Sequence, residues 1–262
     1  MREIRNGRLT AGPGTPEPAG ARGVFETALL AEGRPVFFGE HVERFAAGCA
    51  HFGLSRAPAA GVLLEAAEQL VRRTALARGV LRWSAWTLGA AEEWRVSVEP
   101  PRPHMAGSAW RVAVSPLRLP PPDADIPYKH LGRKRWLEAL AAGRIAGRDE
   151  VLLADQAGQV VEGAISNVFW VRRGALATPP ASGGPLPGIV RAKVLALALA
   201  EGLPVDERAL PLAELPAAEE VFLTNSLVGI RPVAWLEGRG LPAPGAVTRR
   251  LQEAWRRQYG WG

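Results

Sequence analysis

The sequence VVEGAISNVFW, residues 160–170, predicts both a local fold and a possible chemistry for this chain. Its apolar runs predict two strands, Val160 to Glu162 and Ser166 to Arg172, joined by a turn of small residues. Glu162 closes the first strand, and the following Gly163-Ala164 would let a flat ring approach the backbone. A carboxylate placed there could hold a protonated ring nitrogen. The alternative is a solvent-exposed glutamate in a hairpin, which would show the same sequence pattern. Asn167 is expected to cap the local turn through its side chain.

A scarce lysine precedes this stretch. Only three of the 32 basic residues are lysines, and Lys129 lies 33 residues ahead of Glu162. Because a guanidinium keeps its proton, a lysine retained in an arginine-rich chain suggests an amine that attacks a carbonyl, as an aldehyde cofactor requires. The other two lysines, Lys134 and Lys193, lie on predicted helices among charged neighbours. Lys129 is therefore our candidate, and an ordinary surface lysine is the alternative.

Two segments further along could bind an anion such as a phosphate. A helix is predicted from about Gly188 to Glu201, and its first amides, at Gly188, Ile189 and Val190, would face an anion favoured by the helix dipole. The polar run Thr224-Asn225-Ser226-Leu227 ends a predicted strand and offers further amides and hydroxyls. Each segment alone is equally typical of an ordinary helix start or polar loop. Arg44, on a predicted amphipathic helix, could add a charged contact or form a surface salt bridge.

Proline-rich sequence divides the chain into two predicted domains. Pro116 to Pro127 holds five prolines in twelve residues, which excludes a helix or a central strand. We predict an N-terminal α/β domain (1–115), a Pro-rich linker (116–125) and a C-terminal domain (126–262). Residues 8–23, rich in glycine, proline and alanine, predict a loop, and Pro35 to Phe38 predicts a strand.

Composition excludes several classes of protein. The 262 residues, 47% of them hydrophobic, suit a soluble globular protein, and the net charge of +6 comes from arginines scattered along the chain rather than a nucleic-acid-binding run. No apolar stretch approaches the roughly 18 residues of a membrane span, so we expect a cytoplasmic protein without membrane or nucleic-acid partners. The four histidines lack ligand spacing, which predicts no metal. G-x-S-x-G, P-loop and dinucleotide-binding motifs are lacking.

Taken together, the ordered motifs resemble the class IV aminotransferase family, the fold type IV pyridoxal phosphate enzymes. The resemblance runs from about Phe25 to the C-terminus. It rests on Lys129, Val161-Glu162-Gly163, Ser166-Asn167-Val168-Phe169, Leu186-Pro187-Gly188-Ile189, Arg191 and Thr224-Asn225-Ser226-Leu227. It implies an α+β two-domain fold with a small N-terminal α/β sandwich, a larger C-terminal pseudo-barrel, and a homodimer. It also implies that Lys129 is the Schiff-base lysine, that Glu162 is the partner of the pyridine nitrogen, and that the phosphate is bound by Arg44, Ile189, Val190, Ser226 and Leu227.

Three activities of this family compete, and the motif details favour 4-amino-4-deoxychorismate lyase, which would release pyruvate and 4-aminobenzoate for folate biosynthesis. Lys129-His130-Leu131-x-Arg133 and Asn225-Ser226-Leu227 resemble lyase sequences. The alternative is an aminotransferase acting on D-amino or branched-chain amino acids, which Pro101-Arg102-Pro103-His104 supports through its similarity to the Arg-x-His clamp of D-amino-acid aminotransferases. Thr27 is the candidate for leaving-group assistance. The anionic small-molecule substrate would be bound by Arg102, His104 or Arg133.

A protein without catalytic activity, or a basic binding protein, is the remaining interpretation. Loss of the lysine or the glutamate would favour it. Since Lys129 and Glu162 are both present, the sequence favours the enzyme.

Overall fold

The structure, a computed structural model, describes residues 2–11 and 17–262. The chain divides into two compact units. The first combines Met1–Met105 with Tyr128–Gly132, and the second combines Ala106–Pro127 with Arg133–Gly262. This division differs from the predicted boundaries, because residues 106–115 belong to the second unit and residues 128–132 return to the first.

The first unit is built on a six-stranded antiparallel sheet with two helices. Its elements in chain order are β1 (Arg2–Arg5), β2 (Arg8–Ala11), β3 (Arg22–Ala31), β4 (Arg34–Pro35), α1 (Phe38–His51), α2 (Ala60–Thr74), β5 (Gly79–Leu88) and β6 (Ala91–Glu99). The strands are ordered β2-β1-β6-β5-β3-β4. A short 3₁₀ helix, Pro103–Met105, follows β6.

Both helices cover one face of this sheet, as the alternation of side chains along the strands requires. On β3, Val24 and Ala28 are buried in a core shared with Phe45 of α1 and Leu70 of α2. Glu26, between them, lies on the same helix-covered face, where it contacts Arg44 and His41 of α1. Phe25 and Thr27 alternate with these residues and therefore point to the opposite face.

The N-terminal hairpin is the main difference from the sequence prediction in this unit. Residues 8–11, predicted as part of a loop, form β2, which pairs with β1. The turn between them is Asn6-Gly7, with φ of 47° and 79°, and Asn-Gly is a strong sequence signal for a tight hairpin turn. Of the remaining predicted loop, residues 12–16 lie outside the described residues. The strand predicted at Pro35 to Phe38 is also shorter, because β4 ends at Pro35.

The second unit is built on a ten-stranded mixed sheet with three helices. Its elements are β7 (Trp110–Leu119), α3 (Lys134–Ile145), β8 (Glu150–Asp155), β9 (Gln159–Gly163), β10 (Asn167–Arg172), β11 (Ala175–Thr178), α4 (Ile189–Ala200), β12 (Val205–Glu207), β13 (Leu210–Pro211), β14 (Glu220–Asn225), β15 (Gly229–Leu236), β16 (Arg239–Gly240) and α5 (Ala246–Tyr259). The strands are ordered β12-β11-β10-β14-β15-β7-β8-β9-β13, with β16 paired to β15. The predicted fold class, α+β with a C-terminal pseudo-barrel, is confirmed.

Strand β7 explains why the predicted linker begins too early. It pairs in parallel with both β8 and β15 and continues through Pro116 to Leu119. Pro116 lies where the register with β8 shifts between Val114 and Arg118. A proline has no N–H to donate, so a strand can accommodate it at such an irregularity. The proline therefore marks a bulge in a strand and not the end of a domain.

Candidate active site

Glu162 is held at the end of β9 by three donors of the second unit. Its Oε1 accepts hydrogen bonds from Arg133 Nη2 at 2.5 Å and Trp136 Nε1 at 2.8 Å, and its Oε2 accepts one from the Leu186 amide at 3.0 Å. The residue is 2% exposed. A carboxylate offers about four acceptor positions. Glu162 is thus anchored by Oε1, while Oε2 retains capacity for one more donor.

Arg133, predicted as a substrate contact, lies beside Glu162. Its guanidinium forms the ion pair with Oε1 and stacks over the Trp136 ring, 4.8 Å from the centroid. The residue is buried and precedes α3 directly. A planar guanidinium over an aromatic ring gives up less hydration than an ammonium would. The observed contact of Arg133 is to Glu162, and a contact with substrate stays a prediction.

The turn between β9 and β10, Gly163–Ser166, is organised by a residue that the sequence analysis missed. Glu150, the first residue of β8, is fully buried. Its Oε1 accepts hydrogen bonds from the amides of Val151 and Ala164, and its Oε2 from the Ile165 amide and the Ser166 hydroxyl. Burial raises the pKa of Glu150 to about 7, although these hydrogen bonds oppose the rise. The only sequence signal is a carboxylate that opens an apolar strand.

The absence of a side chain at Gly163 has a steric reason within the turn, apart from the predicted approach of a flat ring. A Cβ at this position would lie 2.2 Å from Ser166 Oγ and 3.1 Å from Glu150 Oε2. The missing side chain therefore makes room for the Ser166–Glu150 hydrogen bond. Approach of a flat ring to this glycine stays a prediction.

Asn167 secures the segment that leads into α4. Its Nδ2 donates to the Leu186 carbonyl at 2.8 Å, 19 residues along the chain. A Cβ at Gly188 would lie 1.9 Å from Asn167 Oδ1. The position therefore requires glycine, and Asn167 supports the entry to α4, a longer-range role than the local turn cap that we predicted.

The first turn of α4 carries the predicted amides. Gly188 is its N-cap, and Ile189 and Val190 are its first helical residues. No N-cap side chain bonds to these amides, since the N-cap is glycine. The first N–H groups of a helix have no intrahelical acceptor and lie at the positive end of its dipole. This turn has the donor chemistry that a phosphate requires.

The predicted anion segment after β14 forms a tight turn closed by Asn225. Its Oδ1 accepts from the amides of Leu227 at 2.9 Å and Val228 at 3.1 Å, and its Nδ2 donates to the Ile165 carbonyl at 3.2 Å. The Leu227 amide therefore already has an acceptor. Thr224 Oγ1 is buried, and it has no hydrogen-bond partner within residues 2–11 and 17–262. Thr224 is thus a second hydroxyl, beside that of Ser226, that could donate to an anion.

In the first unit, Lys129 is fixed by its backbone along β3. The Phe25 amide donates to the Lys129 carbonyl at 2.9 Å, and the Leu131 amide donates to the Gly23 carbonyl at 2.8 Å. Lys129 Nζ lies over the Phe25 ring, 4.8 Å from its centroid. Because Thr27 is two residues from Phe25, it lies on the same face of β3. The structure thus places the two predicted catalytic residues on one side of the sheet.

The other lysines have different surroundings. The Lys134 side chain is 86% exposed and lies 3.5 Å from Glu138, and Lys193 Nζ lies over the Tyr259 ring. Lys129 is half-buried. Of the three amines, Lys129 is the one set against a sheet face with a candidate catalytic hydroxyl.

Arg44, predicted to bind phosphate, contacts Glu26 beneath β3. Its Nε and Nη2 donate to the Glu26 carboxylate at 2.7 and 2.8 Å, and His41 Nδ1 lies 2.8 Å from the same group. Burial alone would raise the pKa of Glu26, but Arg44 and His41 together hold it well below its usual range. The observed role of Arg44 is to stabilise this buried carboxylate, and its contact with phosphate stays a prediction.

The predicted Arg-x-His clamp lies at the end of the first unit. Arg102 Nη2 donates to Glu99 Oε2 at 3.1 Å, and the Arg102 amide donates to Met105 Sδ at 3.2 Å. His104 lies within the 3₁₀ helix Pro103–Met105. The structure brings these residues together locally, and their contact with substrate stays untested.

Comparison with known proteins decides the family. The profile described as Amino-transferase class IV matches residues 23–236, most of the chain. The chain belongs to the class IV aminotransferases. A candidate branched-chain-amino-acid aminotransferase of Methanocaldococcus jannaschii is 31% identical over 244 residues, covering 88% of this chain and 85% of that protein.

Solved structures agree with this class IV assignment. The branched-chain aminotransferase of Thermoproteus uzoniensis, solved with norvaline, has a TM-score of 0.86 and 26% identity, and the match covers 98% of this chain and 94% of that one. A candidate 4-amino-4-deoxychorismate lyase of Legionella pneumophila has a TM-score of 0.79 and 22% identity, with 90% of each chain covered. An aminotransferase of Brucella abortus, bound to pyridoxal phosphate, has a TM-score of 0.85 and 22% identity, with 99% of each chain covered. These matches confirm the predicted fold.

The cofactor prediction, pyridoxal phosphate, is confirmed at the level of the family. The residues of this class IV enzyme fit that group. Glu162 Oε2 can accept a ring N–H, and the buried Thr224 hydroxyl has no hydrogen-bond partner among the described residues. The first turn of α4 offers backbone amides to a phosphate. Among the residues that the structure describes, no cluster of histidine, cysteine or acidic side chains could hold a metal ion. Within the same residues no helix is long and apolar enough to cross a membrane.

Proposed function

We propose that this chain is a pyridoxal phosphate-dependent 4-amino-4-deoxychorismate lyase that eliminates pyruvate and leaves 4-aminobenzoate. The observation that carries the proposal is the double role of the Asn225 side chain, which closes the turn after β14 and donates to Ile165. The aminotransferases of the family more often have Gly-Thr or Ser-Thr in this loop, and neither glycine nor serine has the side-chain amide with which Asn225 both donates and accepts. The sequence motif that resembles the lyases therefore has a defined structural role in this chain.

Arg133 is the second part of the lyase-like motif with a defined contact. It stands four residues after Lys129, where the lyase-like motif has its arginine, and it pairs with Glu162. A guanidinium at that position gives the buried carboxylate a charged partner. The motif that suggested the lyase therefore has a physical consequence at the residue assigned to the ring nitrogen.

We assign the cofactor to residues that have matching chemistry. Lys129 would bind its aldehyde carbon, Glu162 its ring nitrogen, and the first turn of α4 with Thr224 and Ser226 its phosphate. When bound, pyridoxal phosphate supplies an electron sink for charge that develops at the amine-bearing carbon of the substrate. Asn167 and Gly188 position the α4 turn rather than contact the reaction.

The protein side of the reaction is proton movement and charge control. The Lys129 amine would remove the proton from the amine-bearing carbon of the substrate, as a general base. Glu162, held in place by Arg133 and Trp136, would stabilise positive charge at the ring nitrogen. Thr27, on the Lys129 side of β3, would donate to the departing enolpyruvyl oxygen. Arg102 and His104 are our candidates for a substrate carboxylate.

An aminotransferase acting on branched-chain or D-amino acids is the second candidate. The 31% identity with the Methanocaldococcus relative over most of both chains favours it. Lys129 would then return its proton to the cofactor-side carbon, and a 2-oxo acid would have to enter as the second substrate. The residues that hold the cofactor would be the same in both reactions.

The first experiment asks whether the protein uses the cofactor through Lys129. Purified protein with pyridoxal phosphate should show a visible absorption band that borohydride converts to a stable lysine adduct. Lys129→Ala should lose the adduct, and Lys134→Ala, at an exposed lysine, should keep it. Protein that stays colourless would refute the enzyme assignment, and an adduct on Lys134 or Lys193 would refute the site.

The second experiment separates the two reactions. Given 4-amino-4-deoxychorismate, the wild-type enzyme should release 4-aminobenzoate and pyruvate in equal amounts. Turnover of leucine or D-alanine with 2-oxoglutarate, without any 4-aminobenzoate, would instead establish the aminotransferase.

A further inference from the structure

Glu150 is the buried carboxylate that the reaction does not use. It is 0% exposed and lies at the start of β8, yet three of its four hydrogen bonds come from consecutive residues of another segment, the Gly163–Ser166 turn. Two amides and a hydroxyl in a row that converge on one anion form a backbone nest. In this protein a side chain fills the nest in place of a bound ion.

This turn joins residues assigned to the cofactor. Glu162 precedes it, Asn167 follows it, and its Ile165 carbonyl accepts the hydrogen bond from Asn225. A further bond, from the Gly163 amide to the Ser166 carbonyl at 2.7 Å, closes the turn. Movement of the turn would therefore displace Glu162 and Asn167 together.

We propose that Glu150 is a positioning residue for the cofactor site, because its carboxylate fixes the turn that sets Glu162 and Asn167. Without it, the Ile165 amide and the Ser166 hydroxyl would lose their acceptor, and the Ala164 amide would keep only the Val151 carbonyl, at 3.0 Å. A buried donor without a partner is costly, so the turn would reorganise to reach new acceptors. Glu150 never touches the cofactor and acts through the turn. The inference rests on the proposed cofactor site and is independent of whether the reaction is elimination or transamination.

The chain offers a matched control in Glu220. This carboxylate is also buried and accepts three hydrogen bonds, from the Val247 amide and from the amide and hydroxyl of Thr248. It caps the N-terminus of α5. Its loss should destabilise the protein to a comparable degree without changing the β9–β10 turn.

The test compares Glu150→Ala with Glu220→Ala in the full chain at pH 8. Affinity for pyridoxal phosphate is measured by absorption titration, with thermal unfolding and circular dichroism as checks of folding. We expect Glu150→Ala to bind the cofactor at least about tenfold more weakly, the effect of about one lost charged hydrogen bond. Glu220→Ala should retain wild-type cofactor affinity despite a lowered unfolding temperature.

Chemical rescue separates positioning from general loss of stability. Sodium formate should restore cofactor affinity to Glu150→Ala in a saturable way, because the truncated side chain leaves room for a carboxylate in the nest. Sodium chloride at the same concentration should not restore it, and formate should not change the wild type or Glu220→Ala. Should Glu150→Ala fail to fold, Glu150→Gln replaces it, with the same expected loss and no rescue, since its amide fills the space.

The results that would overturn the inference are distinct from failure of the proposed function. Wild-type affinity in folded Glu150→Ala, an equal loss in Glu220→Ala, or absence of formate rescue would each refute the role of Glu150. If Glu150→Gln is used, unchanged affinity refutes it. Absence of cofactor binding in the wild type would refute the proposed site itself.

Discussion

Replacing Arg133 by methionine will separate the charge at Glu162 from the packing around it. Methionine covers the Trp136 ring but cannot donate to Glu162 Oε1, which receives the guanidinium at 2.5 Å. Glu162 is 2% exposed, and removing one partner of a buried ion pair typically costs about 3–5 kcal/mol. For a protein of this size that corresponds to a fall in the unfolding temperature of roughly 6–20 °C.

The functional result should follow the same charge. Arg133→Met is expected to weaken pyridoxal phosphate binding, because Glu162 loses the ion pair that anchors its Oε1 and its Oε2 is then no longer held in place for a protonated ring nitrogen. Thermal unfolding of the cofactor-free protein and absorption titration measure the two effects.

Two controls make the reasoning refutable. Arg133→Lys keeps the positive charge and should recover part of both losses. Arg250→Met removes an exposed ion pair with Glu201, and such pairs contribute little, so its unfolding temperature should stay near that of wild type. Equal effects of Arg133→Met and Arg250→Met on the unfolding temperature would show that the buried ion pair is not the cause.

Three further predictions concern the supports of the site. Gly188→Ala should weaken cofactor binding clearly while the unfolding temperature changes little, because the new Cβ would displace Asn167 Oδ1, 1.9 Å away. Equal cofactor titrations of variant and wild type would contradict this. The pKa of Glu26 is lowered, so its contribution to stability is present above about pH 4.5 and is lost as the pH falls. Between pH 5 and pH 3 the unfolding temperature should therefore decline less steeply in Glu26→Gln than in wild type. The pKa of Glu150 is raised from 4.5 to about 7, so the free energy of unfolding should fall as the pH rises across that range. The fall should be about 3 kcal/mol, at ~1.4 kcal/mol per pH unit. Glu150→Gln should lack this decline, and a parallel decline in both proteins would refute its assignment to Glu150.

Local signals in the sequence are enough to nominate a candidate where one residue type carries the chemistry. Lys129 could be chosen because lysine is scarce, and Glu162 because it closes a strand before small residues. The helices were also predictable, since apolar residues at helical spacing mark them whatever their partners are. The Asn6-Gly7 hairpin was equally local, and we missed it because the glycine and proline that follow it suggested a loop.

Partners that are distant in sequence could not be predicted. Arg133 was expected to bind substrate, yet it pairs with Glu162, 29 residues away. No local sequence signal marks Glu150, because its hydrogen bonds go to a turn 14 to 16 residues further on. The boundary between the units moved for the same reason: β7 belongs with β8 and β15, and sequence shows no sign of parallel pairing with a strand more than 100 residues away.

Residue type and local motif are enough to make Lys129 and Glu162 the candidates for cofactor chemistry, because reactivity belongs to the side chain and its immediate sequence. The partners of the Glu162 carboxylate, and the contacts that hold its turn, are set only when the chain folds. Those properties depend on burial and on donors contributed by separate strands and helices. Arg133 and Trp136 before α3 and in its first turn, Leu186 ahead of α4, and Glu150 on β8 come together only when the second unit folds.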